Sequence, residues 1–319
     1  MFRVARRLTS IWMISILVAL CGCVQTKPLI LSSQSIEPTQ IQTRHQNGWL
    51  LVENQPVATK YRVLLLPGFL CTDAIYRDML NDVTMQDAGI QLVAGNPPGF
   101  KGLPVEKNFD FSLERYAEAV CELNEIESYD LIVGHSFFAN VLIELAVSDR
   151  YQGSLMLLSP SLSRKSEDVE TRFFDKIGRA PLVGPISMLA AYQAMNAMFE
   201  PYFIDEKKDK LPMVVAEAKK TPRYMARRLL NAFFDYIDGH GDLSKRLCRT
   251  SKPVLYVRGV DDNVKLLPAH RRQLAKADLI KIIEIKGSKH FVMIDHPEML
   301  NQFIRKMIFG RPGRSIKVY

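Results

Sequence analysis

Three residues of this sequence have side chains that could act together on a carbonyl compound: Ser136, Asp262 and His290. A serine hydroxyl is a weak nucleophile at neutral pH, so it needs a histidine to accept its proton and an acid to orient that histidine. Each of the three follows a strand-like apolar run, in the stretches LIVGHSFFAN, VRGVDDNV and IKGSKHF. We therefore expect nucleophilic catalysis by Ser136, with His290 as the base and Asp262 as the acid. Asp261 is the alternative acid.

Apolar runs alternate with helical patterns along most of the chain, which predicts the elements that must hold these residues. Seven runs are typical of strands: WLLVE, YRVLLLP, IQLVAGN, YDLIVGHS, GSLMLLSPS, KPVLYVRG and LIKIIEIKG. Strands this apolar, separated by helices, indicate a sheet that is buried on both faces. The predicted fold is α/β, with a mostly parallel central sheet covered by helices on both faces. Ligands of such sheets bind beyond the carboxyl ends of the strands, where Ser136 lies.

The N-terminal residues 1–22 are typical of a secretion signal. A basic segment, MFRVARRLTS, precedes the short apolar segment IWMISILVAL and then LCGC. This order resembles a bacterial lipobox, which implies that Cys23 receives lipid and that residues 23–46 form a tether to the domain over residues 47–319. Val24 points to the outer membrane of a Gram-negative cell envelope. An uncleaved signal anchor and ordinary secretion are the alternatives.

Composition limits the partners. The chain has 319 residues and a formal charge of +8, but beyond residue 22 there are 39 basic against 34 acidic residues, which does not call for nucleic acid. After Cys21 and Cys23, the remaining cysteines are Cys71, Cys121 and Cys248. Their wide spacing suggests no metal site, and they form either one disulfide or three buried thiols.

From about Arg62 to Ile308 the sequence resembles the α/β-hydrolase superfamily, in its single-domain branch of esterases, lipases and thioesterases. The segment LLLPGFLCTDAIYRDML looks like that family's oxyanion loop, and NPPGFKG resembles its D-x-P-G-x-G loop, with Asn96 in place of the aspartate. RGVDDNV and GSKHF match its acid and histidine loops, and the order Ser, Asp, His is the order the family uses. The resemblance implies that the amides of Phe69 and Phe137 bind the oxyanion.

The serine turn departs from the family pattern at one position. The family reads G-x-S-x-G, and here Phe138 replaces the last glycine. Either the start of the following helix shifts to accommodate the ring, or Ser136 is misplaced. In the family pattern His135 points away from the site.

The resemblance implies a serine hydrolase without a cofactor that acts on a carboxylic ester or thioester of a small hydrophobic acyl substrate, with an amide as the alternative. Residues from about 164 to 250 are helical in pattern and rich in methionine and aromatic residues, and they are expected to form a cap over the site. The serine argues against an epoxide hydrolase or dehalogenase, in which aspartate is the nucleophile. A catalytically silent lipoprotein that binds a lipid or a protein partner is the competing hypothesis.

Overall fold

The parallel sheet predicted from the sequence is present. A computed structural model describes residues 41–180 and 183–310. Its eight strands are β1 (Ile41–Gln46), β2 (Trp49–Asn54), β3 (Tyr61–Leu66), β4 (Ile90–Asn96), β5 (Leu131–His135), β6 (Ser154–Leu158), β7 (Val254–Gly259) and β8 (Ile280–Ile285). Their order is β1-β2-β4-β3-β5-β6-β7-β8, with β1 and β2 antiparallel to their neighbours and all other pairs parallel. The α/β fold is therefore confirmed.

Burial on both faces explains why the strands are apolar without a break. In β3, Val63 and Leu65 pack into the core on one face of the sheet, while Leu64 and Leu66 pack into the core on the other. Successive side chains of a strand point to opposite faces, so a sheet covered on both sides needs an apolar residue at every position.

Thirteen α-helices occur in the described residues. They are α1 (Arg77–Leu80), α2 (Val83–Asp87), α3 (Leu113–Glu127), α4 (Phe137–Val147), α5 (Val169–Gly178), α6 (Gly184–Gln193), α7 (Met195–Phe199), α8 (Leu211–Ala218), α9 (Arg223–His240), α10 (Leu243–Leu247), α11 (Pro268–Leu274), α12 (Val292–Asp295) and α13 (Pro297–Phe309). The pattern over residues 73–88 predicts one helix, but the structure divides it into a 3₁₀ turn, α1 and α2. The break occurs because the Asp82 carboxylate accepts from the Thr84 N–H and so caps a new helix.

The end of the predicted tether belongs to the sheet. Residues 41–46 form β1, which pairs with β2 from Ile41↔Asn54 to Gln46↔Trp49. The strand lies at the edge and is mostly exposed, so its sequence IQTRHQ is polar and looks like a linker. The remainder of the predicted tether, the predicted signal and the lipid acceptor Cys23 lie outside the described residues.

The segment between β6 and β7 contains six helices, α5 to α10, over the region where the sequence predicts a cap. A partly buried ion pair ties this segment to α4: Arg246 Nη2 lies 2.6 Å from Glu144 Oε2, and the Tyr236 hydroxyl donates to Oε1 of the same carboxylate at 2.5 Å. No helix in the described part of the chain is long and apolar enough to cross a membrane.

Candidate active site

Ser136 lies at a strained turn between β5 and α4. Its backbone has φ +50° and ψ −108°, a conformation that L-residues rarely adopt. The Ser136 N–H donates to the carbonyl of Leu158 at the end of β6, with N and O 2.8 Å apart. A side chain at Gly134 would place its Cβ 2.6 Å from the Phe138 carbonyl oxygen, so only glycine fits. The turn therefore has the geometry that exposes a serine at the carboxyl edge of a sheet.

Phe138 does not obstruct this turn. Its ring is completely buried and packs against four aromatic rings at centroid distances of 5.4 to 6.4 Å: Trp49, Phe100, Tyr116 and Phe137. It is not among the residues that line the cavity beside Ser136. The start of α4 directs the ring into the core, so the substitution of the family's glycine leaves Ser136 in place.

His290 and Asp262 form a buried pair. His290 Nδ1 lies 2.9 Å from Asp262 Oδ1, and both side chains are almost fully buried. Burial lowers the pKa of His290, but the carboxylate of Asp262, with help from Glu167 and Asp168, raises it by more, so the net pKa is above 6.5. Because Nδ1 is engaged by Asp262, Nε2 is left as the nitrogen that can accept a proton.

The loop after β7 distinguishes the two candidate acids. The Asp261 side chain is exposed, whereas Asp262 is buried against His290. Asp262 Oδ1 also accepts from the Val264 N–H at 2.9 Å, and the Arg258 guanidinium donates to the carbonyls of Asp262 and Val264. These bonds hold the acid in one orientation, which leaves Asp262 as the partner of His290.

The loop after β3 approaches the serine closely. The Cys71 N–H donates to the Gly68 carbonyl at 3.0 Å, and Leu70 has φ +57°, so residues 68–71 form a tight turn. A Cβ on Gly68 would lie 3.1 Å from Ser136 Cβ. Phe69, Phe137 and Ser136 all line the same cavity. The structure thus brings the two predicted oxyanion residues to the predicted nucleophile.

His135 differs from its predicted position, because it faces the site. Its buried Nε2 lies 3.1 Å from the His290 carbonyl oxygen, and the two rings are 4.7 Å apart. A carbonyl only accepts, so Nε2 carries the hydrogen. Burial, and then His290, lower the pKa of His135 well below 6.5, so this ring is neutral. Its bond to the backbone of His290 positions the loop that carries the base.

Two carboxyl groups lie near His290 that the sequence does not predict there. Glu167 is buried and lines the cavity, and burial raises its pKa to about 7. Asp168 caps α5 and accepts the hydroxyl hydrogen of Tyr202, whose ring lies 5.3 Å from that of His290. The Lys265 N–H donates to the Ser166 carbonyl at 2.9 Å and joins this segment to the acid loop. In the sequence, residues 164–168 (RKSED) are typical of a charged segment exposed to solvent, and nothing in them indicates that the carboxyl group of Glu167 is buried.

The cavity holds about 820 Å³ and is walled mainly by apolar side chains of the cap, including Met188, Met195, Phe199 and Phe233. That volume and lining suit a small apolar ligand. Cys71 also lines the cavity, but burial raises its pKa to about 12, so it is not a thiolate that competes with Ser136. All three cysteines of the described chain, Cys71, Cys121 and Cys248, are free.

Comparisons with known proteins agree with this architecture. The family model for the alpha/beta hydrolase family matches residues 63–303. The chain belongs to the alpha/beta hydrolase family. No curated protein gives a significant match.

Several solved structures share the fold at low sequence identity. A mutant of potato epoxide hydrolase has a TM-score of 0.65 and 16% identity, with 86% of this chain and 100% of that chain covered. A bromoperoxidase from Bacillus anthracis has a TM-score of 0.65 and 13% identity over 85% and 100%. A serine hydrolase from Cycloclasticus zankles has a TM-score of 0.65 and 14% identity over 86% and 100%. At these identities the likeness shows the fold alone.

Proposed function

We propose that this protein is a serine hydrolase that cleaves a carboxylic ester or thioester of a small hydrophobic acyl substrate. The main support is the hydrogen bond between His290 and Asp262, because His290 lines the same cavity as Ser136. Burying ionisable groups and straining a serine backbone both cost folding free energy, and such costly features cluster at functional sites, so finding them around one cavity favours a catalytic role. The serine, rather than an aspartate, favours acyl transfer over epoxide opening.

In the proposed mechanism, Ser136 Oγ attacks the substrate carbonyl while His290 Nε2 takes its proton. The amides of Phe69 and Phe137 donate to the oxyanion, and such donors are worth about 3 kcal/mol each in related chemistry. The leaving group departs with the proton from His290, which leaves an acyl group on Ser136. Water then attacks this acyl-enzyme and gives its proton to His290, the bond between the acyl carbon and Ser136 Oγ breaks, His290 returns the proton to Oγ, and the carboxylic acid leaves. Asp262 orients His290 and stabilises its charged form throughout.

The competing role, a silent scaffold, was suggested by Phe138 and Asn96. Phe138 packs in the core away from the cavity, as described above. Asn96 accepts from the Asp73 N–H at 2.9 Å and donates to the Leu50 carbonyl at 3.2 Å, so it joins the end of β4 to the 3₁₀ turn that begins at Asp73 and to β2. Both departures from the family pattern therefore have structural reasons that are compatible with catalysis.

A fluorophosphonate probe tests the proposed function most directly. Only a serine activated by its histidine reacts, so the native protein should be labelled and Ser136→Ala should not. Ser136→Ala and His290→Ala should each abolish turnover of a short p-nitrophenyl ester, and the double variant should be little worse, because the members of a triad act as a unit. If the native protein does not react with esters, thioesters or the probe, the proposed hydrolase activity is refuted and the silent scaffold is favoured.

We also propose that Cys23 carries lipid and holds the protein on the cell envelope, at the outer membrane of a Gram-negative bacterium. The support is the sequence order of basic segment, apolar segment and LCGC. Cys23→Ser should abolish incorporation of labelled fatty acid. Incorporation of labelled fatty acid by the Cys23→Ser variant would contradict the proposed lipid anchor at Cys23.

A further inference from the structure

The cap carries an exposed apolar surface. Within the described residues, thirteen large apolar side chains are exposed, and five of them fall between residues 169 and 189. We call these five the apolar cap face: Val169 (67% exposed), Phe173 (58%), Val183 (51%), Ile186 (68%) and Leu189 (43%). Single exposed apolar residues need no explanation, but such a concentration marks an interaction surface.

Four of the five residues of the apolar cap face lie on two helices that pack against each other, α5 and α6, and Val183 immediately precedes α6. Val169 and Phe173 are four residues apart on α5, and Ile186 and Leu189 are three apart on α6, so each pair lies on one side of its helix. The inner side of α6 is occupied by the buried Met188 and Ala191. The outward residues are thus an additional apolar stripe that the core does not use.

The sequence around α6 has no charge. Residues 180–199, APLVGPISMLAAYQAMNAMF, contain no Asp, Glu, Lys or Arg. A surface helix of a soluble domain normally carries charged residues on its outer face. Ten residues of α6 without one indicate that the outer face is covered by an apolar partner.

This surface borders the cavity of the candidate active site. Val169 is exposed and also lines the cavity, so the cavity opens beside the first turn of α5. Met188, Met195 and Phe199 line the cavity from α6 and α7. An apolar molecule that leaves the covering partner would enter beside Val169, where charged residues also line the cavity, and would then contact the apolar side chains of α6 and α7.

Charge identifies the partner. Residues 164–250 contain sixteen basic and twelve acidic side chains, a surplus of four, whereas the whole chain beyond residue 22 has a surplus of five. The basic surplus is therefore concentrated in the cap. Among the described residues from 164 to 189, which include the apolar cap face, the exposed charged side chains are three basic ones, Lys165, Lys176 and Arg179, and one acid, Glu170. An apolar surface with basic neighbours matches an anionic lipid bilayer, whose interior accepts apolar residues while its headgroups attract cations.

We propose that the apolar cap face docks onto the surface of an anionic lipid bilayer and that the cavity receives its acyl substrate from the lipid. The docking stands on the surface alone, while the acyl substrate rests on the proposed function. A second copy of the chain on this face is the competing occupant.

Docking can be measured with tryptophan as a reporter in the full chain. Phe173→Trp places a reporter on the apolar cap face, and Val57→Trp places one at a fully exposed residue between β2 and β3. Vesicles of phosphatidylcholine and phosphatidylglycerol with brominated acyl chains should quench the added fluorescence of Phe173→Trp only. Any lipid anchor is common to both variants, so equal quenching in both, or none in either, overturns the proposal. A dimer in which the added tryptophan is shielded without vesicles would identify the second copy instead.

A second variant separates docking from chemistry. Ile186→Asp with Leu189→Asp places two acids on the apolar cap face, and neither residue lines the cavity. In the Phe173→Trp background this change should abolish quenching and should lower turnover of an ester dissolved in vesicles by about tenfold or more, with turnover of a soluble ester unchanged. Val57→Asp is the control. Unchanged quenching would refute docking. Quenching by lipid without any ester turnover would support docking and refute the proposal that the cavity receives an acyl substrate from the lipid.

Discussion

Replacing Glu167 by glutamine should stabilise the folded protein, and more so as the pH rises. Burial is the main cause that raises the pKa of Glu167 from its ordinary 4.5 to about 7, against smaller opposing effects of Ser161 and His290. Between these two pH values the unfolded chain has lost the proton and the folded chain keeps it. The folded state therefore binds more protons, so the stability of the native protein falls as the pH rises through this window.

The size of the effect follows from the shift. One pKa unit corresponds to about 1.4 kcal/mol, so the native protein should lose about 2–3 kcal/mol between pH 5 and pH 8 through Glu167. Glutamine does not titrate, and Glu167→Gln avoids this loss. The free energy of unfolding falls by about 1–3 kcal/mol for each molar of urea, so the urea midpoints of variant and native protein should differ by about 1 M at pH 8 and by much less at pH 5.

Urea unfolding of both proteins at several pH values measures this difference, and the comparison cancels the other titrating groups. Glu170→Gln, an exposed acid three residues further along, is the matched control and should follow the native protein. Parallel pH profiles for Glu167→Gln and the native protein, or a variant that loses stability faster as the pH rises, would refute the reasoning.

Other changes have equally defined outcomes. Asp262→Asn should slow ester turnover and move the acid limb of the pH dependence of kcat/KM to lower pH. The reason is that neutral His290 is the active base and the Asp262 carboxylate raises the pKa of His290. An acid limb at the same pH in both proteins would contradict this. Phe138→Leu should lower stability by about 1–2 kcal/mol, seen in urea unfolding, with soluble-ester turnover retained, since the ring lies in the core; lost turnover without unfolding contradicts this. Gly134→Ala should lower the free energy of unfolding by about 3 kcal/mol or more, because the new Cβ would lie 2.6 Å from the Phe138 carbonyl oxygen. Gly178→Ala is the control and should melt no lower than the native protein, because a Cβ there meets no atom within 4 Å. Equal melting temperatures for the two variants would contradict this.

The sequence alone was sufficient for seven of the eight strands of the sheet and for the chain order of the candidate site residues. Seven strands were predicted because their burial on both faces requires unbroken apolar runs. β1 was missed because an edge strand is held by backbone hydrogen bonds to one neighbour, and its exposed side chains carry no apolar signal. Ser136, Asp262 and His290 were found because each follows a strand in a short motif whose spacing is local.

Only the tertiary structure decided what depends on the direction of a side chain or on a distant segment. Spacing favoured Asp262 and kept Asp261 as the alternative, and the fold buries Asp262 against a histidine 28 residues away. The direction of the Phe138 ring depends on the start of α4 and on the aromatic residues around it. Glu167 and the apolar cap face remained hidden because burial and exposure arise from packing between segments, and a charged run or an apolar helix looks the same in sequence whether water, a cavity or a membrane covers it.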